Sequence, residues 1–438
     1  MKTNAALVQR GLARMVALRP GEGSALASSF AYFFCLLAGY YVLRPLRDEM
    51  AIAGGVHNLQ WLFTATFVAM LAAVPVFGAV VARWPRRRFI PLVYHFFAAN
   101  IAVFWLLLTF DVAQVQVARV FFVWISVFNL FAVSVFWSYM ADLYTSEQGK
   151  RLFGFIAAGG SAGALLGPAL TLGLALPLGP VNLLLVALLF LELAITCVRR
   201  LEPASAPCAR AETAPPAQTQ PGDAALGGGW FAGIAMVLRS PYLAGIALWV
   251  GLLSLAGTFL YFQQANIVAA ASDDPAVRTR IFAGIDLAIG ALTIAVQFVA
   301  TGRLITRFGV GRAAAVLPLV FGLGFLALAF VPALLAVIAF QALQRTANFA
   351  LSNPAREVLF TVLAREEKYK AKNVIDIVVF RGADAASGWL FALLRGAGLE
   401  LSAISLATVP VAAAWLALAL ALGRAQERRA RGGAALRG

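Results

Sequence analysis

Apolar runs of about 18 residues or more recur along the whole chain, separated by short stretches that carry most of its charge. They fall near 26–43, 58–82, 89–110, 115–141, 152–176, 180–198, 240–269, 281–301, 313–331, 333–355, 374–394 and 401–423. Twelve membrane-crossing segments are therefore expected. Each must be helical, because a backbone in lipid has to satisfy its polar groups within the segment. Polar residues interrupt these runs at helical spacing. Gln341, Arg345, Asn348 and Ser352 follow one another at i, i+4, i+7 and i+11, and Asp286, Gly290, Thr293 and Gln297 repeat the pattern. In the first run Tyr40, Tyr41, Arg44, Arg47 and Asp48 fall within about 120° of one helical face. Pro45 predicts a kink or break there.

Composition agrees: 61% of the 438 residues are hydrophobic and 13% are charged. Soluble domains carry about 25% charge. The net charge of +15 could suggest a nucleic-acid partner, so its placement matters. With a cytoplasmic N-terminus, most of the 35 Lys and Arg fall on cytoplasmic segments. Only Arg44, Arg47, Arg278, Arg280 and Arg395 are expected outside, while Arg119, Arg345 and Arg381 lie within helices. That asymmetry is the positive-inside pattern, and it explains the basic balance without nucleic acid. Both termini are expected on the cytoplasmic side of a bacterial inner membrane. The first run is too long for a signal peptide and lacks a small-residue cleavage site, so it is read as a retained helix.

Residues 199–239 separate two sets of six segments, and 199–229 are rich in Pro, Ala and Gly without apolar periodicity. This reads as a cytoplasmic linker between a bundle at 1–198 and a bundle with a basic tail at 240–438. The halves align by position. GAVVARWPRRR (78–88) falls opposite GRLITRFGVGR (302–312), and TSEQGKRLFG (145–154) opposite AREEKYKAKN (364–373). Two parallel six-helix repeats resemble major facilitator architecture, in which the solute sits near the midplane between rocking halves. The loops at 78–88 and 302–312 also resemble the loop signature of that superfamily. Gly302, Arg307 and Gly309 match it, while Ala82 and Pro85 depart from it.

A charge at the bilayer centre costs about 2.5–3.5 kcal/mol on the insertion scale. Asp286, Arg345, Asp376, Arg381 and Asp384 would together cost on the order of 12–17 kcal/mol facing lipid. They are expected to face each other or a watery lumen. Two readings stay open for several of them. Arg381 and Asp384, at i and i+3, could simply neutralise one another. Arg44 and Arg47 with Asp48 and Glu49 could form an outer-surface cluster. Asp286 could carry a coupling ion or serve as counter-ion to Arg345.

Other chemistry has little to stand on. Cys35, Cys197 and Cys208 form no disulfide or metal pattern, and His57 and His95 are the only histidines. No catalytic residues, metal site or cofactor are expected, and the chain is not read as an enzyme. Gly159, Gly163 and Gly167 at i, i+4 and i+8 read as helix close-packing and not as a phosphate loop. SEQGKR lacks the preceding glycine of a Walker motif.

Three stretches resemble the ATP/ADP translocases of plastids and intracellular bacteria, a family of nucleotide exchangers with a major facilitator fold. They are YYVLRPLRDEM, FWSYMADLYTSEQGKRLFGFIAAGGSAGALLG and the segment around AKNVIDIVVFRGADAA. The chain resembles a divergent bacterial branch of these NTP/NDP exchange transporters. The resemblance implies roles for Arg44, Arg47 and Asp48 on the first helix, for Lys150 and Arg151 in the loop before the fifth, and for Asp376 and Arg381 on the eleventh. One departure follows directly. Where that family continues Gly-Lys-Ser-Gly, this chain has Ala383, Asp384, Ala385 and Ala386, a carboxylate in place of a phosphate-binding cation.

The leading expectation is a monomeric secondary transporter that moves a small anionic solute, a nucleotide among the candidates, by alternating access. Arg44, Arg47, Arg345, Asn348 and Arg381 would bind the solute. Asp286, Asp376 and Asp384 would act as coupling groups or counter-ions, and Lys150, Arg151, Lys370 and Lys372 would sit in gating loops. The alternative is a proton-coupled major facilitator for another metabolite or drug, which Asp384 favours. A receptor or lipid-handling scaffold on the same fold is the third class.

Overall fold

The computed structural model describes residue 19 and residues 22–83, 86–204, 230–299, 301–363, 367, 370–372 and 374–435. Helix accounts for nearly all of them, with no strand among the described residues. In chain order the helices are α1 (Gly23–Ala53), α2 (Leu59–Arg83), α3 (Arg86–Thr109), α4 (Gln114–Leu143), α5 (Ser146–Leu178) and α6 (Leu183–Ala204). There follow α7 (Trp230–Arg239), α8 (Pro241–Ala271), α9 (Pro275–Val299), α10 (Thr301–Phe330), α11 (Leu334–Ala347), α12 (Asn353–Leu359), α13 (Phe380–Gly396) and α14 (Leu401–Ala435).

Among the described residues, eleven helical spans are long and apolar enough to cross a membrane. The expected sixth span, α6, is not among them; it carries Glu192, Arg199, Arg200 and Glu202 within its 22 residues. Large apolar side chains such as Phe110, Phe330, Leu335 and Leu393 are exposed, as suits a protein solvated by lipid. Most of the linker expected at 199–239, the side chains of the 78–88 loop and of 302–308, and the side chain of Lys150 lie outside the described residues.

The chain packs as two units. One holds residues 1–54, 68–220 and 274–287; the other holds 55–67, 221–273 and 288–438. The short pieces 55–67 and 274–287 thus pack with residues from the other half of the sequence.

In the first unit α1 is the hub, packed on α4, α5 and α6. The glycine stripe of α5 makes this possible. A Cβ on Gly159 would fall 2.6 Å from the Phe30 carbonyl oxygen, one on Gly163 2.3 Å from that of Phe34, and one on Gly167 2.7 Å from that of Ala38. The contacts climb both helices together, so α1 and α5 run parallel at backbone contact. Lipid offers no hydrophobic gain for helix association, and close van der Waals approach has to supply it. Aromatic rings fill the rest of this core, with Phe33 stacked on Phe136 at 4.0 Å and Trp124 on Phe128 at 5.4 Å.

In the second unit α10 packs on α14, and α8 on α13. A Cβ on Gly423 would lie 2.2 Å from Gly311 Cα, so this pair too meets backbone to backbone. Gly309 in the superfamily-like loop has φ 79°, a conformation that glycine enters freely, and it turns the chain into the membrane part of α10. Trp249, Phe321, Phe325 and Trp415 are buried here.

Two segments can be described more finely than the sequence allowed. Of the kink or break expected at Pro45, a break is absent: α1 continues through it to Ala53. The tenth segment is one span, Leu334–Val362, but not one regular α-helix: a π-helical turn at Asn348–Ser352 lies between α11 and α12. Pro354 lies just beyond that turn and has no N–H for the carbonyl four residues back. A second π turn, Val374–Val379, opens directly into α13.

Candidate functional site

The end of α1 carries a dense charge cluster within the first unit. Arg44 Nη1 lies 3.4 Å from Asp286 Oδ1 of α9, and its guanidinium sits 5.5 Å from the Tyr41 ring centroid. Arg47 grips Asp48 Oδ1 through Nε at 3.0 Å and Nη2 at 2.6 Å, and lies over the Phe122 ring. Arg278 Nη2 donates to Glu49 Oε1 at 2.7 Å. The carboxylate side chains are almost dry: Asp286 is 3% exposed and Glu49 1%. The outer-surface reading of Asp48 and Glu49 is therefore corrected, because both are buried inside α1. Arg119 Nε donates to the Gly54 carbonyl at 2.9 Å and so satisfies the C-terminal end of α1.

Arg278, expected on the outer side, lies near the start of α9 with its side chain 11% exposed. The missed signal is local. Pro275 suits the first helical position, and the Asp274 carboxylate accepts from the Ala276 N–H at 2.8 Å, so the helix starts earlier than its apolar run. Arg44 and Asp286 were both singled out from sequence, but their mutual pairing was not.

The second unit holds a different arrangement on α13. Asp384 Oδ1 accepts from Ser254 Oγ at 2.5 Å and from Thr258 Oγ1 at 3.2 Å, both on α8. Its Oδ2 lies 3.4 Å from Arg381 Nη1. Ser254 Oγ is also 2.9 Å from the Phe380 carbonyl oxygen. The Arg381 side chain is 37% exposed and the Asp384 side chain 15%. The i, i+3 pairing read from sequence is thus present. Ser254 and Thr258 were not foreseen, although two hydroxyls at i and i+4 in an otherwise apolar run were the available signal.

The other marked residues divide between scaffold and loop. Gln341 is buried and donates through Nε2 to Gln264, while Gln344 donates to Gln341 at 2.9 Å. Thr293 and Thr346 hydroxyls lie 3.5 Å apart. Arg345 and Asn348 are partly buried, Asn348 at the start of the π turn. Asp376 Oδ1 lies 3.3 Å from Arg356 Nη1. Lys372 Nζ contacts Glu357 at 2.6 Å. These two pairs tie α12 to the residues that open α13, and Lys370 is partly buried nearby in sequence. In the first unit Arg151 Nη2 reaches Glu22 Oε1 at 3.0 Å, and Arg19 Nη2 reaches Glu147 at 2.6 Å.

Glu22, just before α1, has its carboxyl held below the ordinary glutamate value. Burial alone would raise it, but hydrogen bonds from Arg151, the Arg19 backbone and Gln148 favour the charged form. Thr145 and Gln148 close a capping box at the start of α5, which places Gln148 and Arg151 toward Glu22.

A family model described as Major Facilitator Superfamily matches residues 25–371. The chain belongs to that superfamily. It is a multi-pass membrane transporter and not an enzyme. Solved structures share its fold. A bacterial homologue of the iron transporter ferroportin aligns over 93% of this chain and 98% of its own, with 12% identity and a TM-score of 0.63. The nucleoside transporter NupG aligns over 92% and 98%, with 12% identity and a TM-score of 0.60. A bacterial homologue of the human lysosomal transporter Spinster aligns over 93% and 99%, with 14% identity and a TM-score of 0.59. No curated protein sequence matches the chain.

Proposed function

We propose that this major facilitator works by alternating access as a secondary transporter of a small organic anion. Arg381 is the cation that meets the solute, with Arg345 and Asn348 flanking the path, while Arg44 is paired with Asp286. Arg47 is engaged twice by Asp48 and holds the shape of α1. The protein acts as a monomer in a bacterial inner membrane, with both termini in the cytoplasm.

One observation carries this reading. Arg381 lies in a membrane span with more than a third of its side chain exposed, while hydroxyls from α8 hold its carboxylate partner. A guanidinium so placed is a donor with hydrogen bonds to offer, and carboxylates and phosphates accept them. Each of Arg44, Arg47, Arg278 and Arg381 stands beside a carboxylate, which limits the net positive charge available to a solute. That balance favours a solute with one anionic group over a polyphosphate.

Exchange of nucleoside di- and triphosphates is the second reading, favoured by the three motif resemblances. The NupG fold match is compatible with a nucleoside-bearing solute and does not choose between the two readings.

Counterflow into proteoliposomes separates them. Liposomes loaded with AMP or with a monocarboxylate are expected to drive uptake of the labelled solute, with a loss of at least about tenfold in Arg381→Ala. A tenfold loss corresponds to about 1.4 kcal/mol. Uptake confined to ATP and ADP would overturn the first reading in favour of the second.

A further inference from the structure

We infer that the second unit holds a site for a zwitterionic ammonium–phosphate headgroup, that of an ethanolamine phospholipid, on the membrane side where α8 ends. A cavity of about 600 Å³ opens there, between the end of α8, the start of α11 and the connection from α13 to α14. That size falls within the roughly 300–1,000 Å³ of small-molecule sites. Ile267 gives it an apolar wall, and Asn266, Arg395, Glu400 and Ser402 bring polar groups to it. Arg395 Nη1 donates to the Leu399 carbonyl at 3.0 Å, which holds the guanidinium against its own loop and leaves its other N–H groups to be used. Asn266 Nδ2 donates to the Phe262 carbonyl at 2.7 Å, so its Oδ1 is left as an acceptor. Arg395 and Glu400 line the same cavity, yet among the described residues neither has an ion-pair partner.

Opposite charges that line one cavity without meeting suit a ligand that carries both. Its ammonium answers Glu400 and Asn266 Oδ1, and its phosphate answers the remaining N–H groups of Arg395 and the Ser402 hydroxyl. Helix ends add to the same polarity. Ala270 and Ala271 close α8 at its negative C-terminal end, while Leu334 and Leu401 open α11 and α14 at their positive N-terminal ends. A simple anion would be repelled by Glu400 and a simple cation by Arg395, so neither fits the whole lining. The flank of the cavity decides what the headgroup is attached to. Phe330 ends α10, Leu335 lies in the first turn of α11 and Leu393 in the last turn of α13, and all three side chains are largely exposed. A headgroup seated in the cavity leaves its acyl chains to lie over these residues. A choline lipid has no ammonium N–H to give Glu400, and a glycerol phospholipid has no cation at all. None of these residues belongs to the solute path, so the site is independent of what the protein carries.

The test uses the full-length protein, delipidated in detergent, with defined lipids added back. Native mass spectrometry should show phosphatidylethanolamine held at least about tenfold more tightly than phosphatidylcholine or phosphatidylglycerol with the same acyl chains, a ratio equal to about 1.4 kcal/mol. Glu400→Gln and Arg395→Gln should each erase that preference. Glu400 anchors α14 through its backbone carbonyl, which accepts from the Ile404 N–H at 3.0 Å, so its side chain can be changed without loosening the fold. Glu400→Gln therefore decides the matter if loss of the Leu399 contact disturbs Arg395→Gln. Thermal unfolding with O-phosphoethanolamine separates a lipid headgroup from a free zwitterion. Stabilisation by phosphatidylethanolamine and none by O-phosphoethanolamine supports the lipid. Stabilisation by O-phosphoethanolamine with no further gain from the lipid would overturn the lipid assignment in favour of a soluble zwitterion. Equal retention of the three lipids by wild type, or a preference that survives in Glu400→Gln, would overturn the site.

Discussion

The charge cluster at the end of α1 and the one on α13 use the same side chains and have opposite surroundings. Around α1, Glu49 and Asp286 are sealed, and Arg278 reaches Glu49 at 2.7 Å. On α13 the Arg381–Asp384 separation is 3.4 Å, the guanidinium is half-open, and neutral hydroxyls hold the carboxylate. Removing two charges from water costs several kcal/mol per ion, recovered only where geometry is close and the remaining hydrogen bonds are met. Arg278–Glu49 and Arg47–Asp48 have that closeness and can act as fixed braces, whereas Arg44–Asp286, at 3.4 Å, is set apart from the α13 pair by its burial alone. The α13 pair is loose enough to be parted by a solute. Burial, more than residue identity, separates scaffold from working site here.

The largest effect should come from breaking a sealed pair. Arg278→Ala leaves Glu49 charged and unaccompanied in a dry environment, and is expected to destabilise the protein by about 3–5 kcal/mol. Replacing both partners with apolar residues of similar size, Arg278→Met with Glu49→Leu, should recover most of that loss. Thermal unfolding of the purified full-length chain measures both. If Arg278→Ala were no worse than Arg381→Ala, the contrast between the two clusters would fail.

Arg381→Ala is the counterpart. Its effect on stability should be below about 1 kcal/mol, as for partly exposed pairs, while counterflow falls at least about tenfold. Arg381→Lys should restore only part of the flux, because an ammonium lacks the planar fork that grips a carboxylate or phosphate. A smaller and more local effect is expected from Thr258→Ala. Removing a hydroxyl that donates to Asp384 should cost about 0.5–1.5 kcal/mol and slow counterflow by less than Arg381→Ala does, with no comparable loss from Thr293→Ala.

Much of this contrast could be read from the chain beforehand, and the part that could not has a physical reason. Apolar runs gave most of the spans, because lipid allows few alternatives to a continuous helix. The glycine stripe of α5 was read correctly as close packing, since its i, i+4, i+8 spacing describes one face. Arg44, Asp286, Arg381 and Asp384 stood out because charge in an apolar run is costly wherever it occurs. Their partners did not stand out. Asp286 meets Arg44 and Ser254 meets Asp384 across far-separated positions of the chain, and helical periodicity names a face without naming the helix opposite. The start of α9 at Pro275 was missed for another reason: an apolar window ends where charge begins, whereas a helix ends where its caps are. Pro45 does not end α1, since a proline removes one hydrogen bond and α1 is packed on three neighbouring helices.

The same contrast between the units recurs at the loops that resemble one another in sequence, and there pH can test it. Glu22 and Arg151 are 3.0 Å apart with the carboxylate side chain 6% exposed, whereas Lys372 and Glu357 meet with the carboxylate 49% exposed. Hydrogen bonds from Arg151, the Arg19 backbone and Gln148 outweigh burial and hold the Glu22 carboxyl below its ordinary value. A depressed carboxyl contributes stability that is fully present above its unfolded value, about 4.3 for a glutamate, and is lost as pH falls through the lower folded value. Acid titration of wild type should therefore show a small added loss of thermal stability below about pH 4. Glu22→Gln should flatten that part of the curve, because the amide does not titrate. Glu357→Gln should leave the slope in place, since its carboxylate is largely in water and a surface pair with lysine contributes little. Equal slopes in the two variants would mean that the loops do equivalent work. A slope missing only from Glu22→Gln would mark the first loop as a brace within its own unit, with Arg151 fixing the start of α1 and not gating the path.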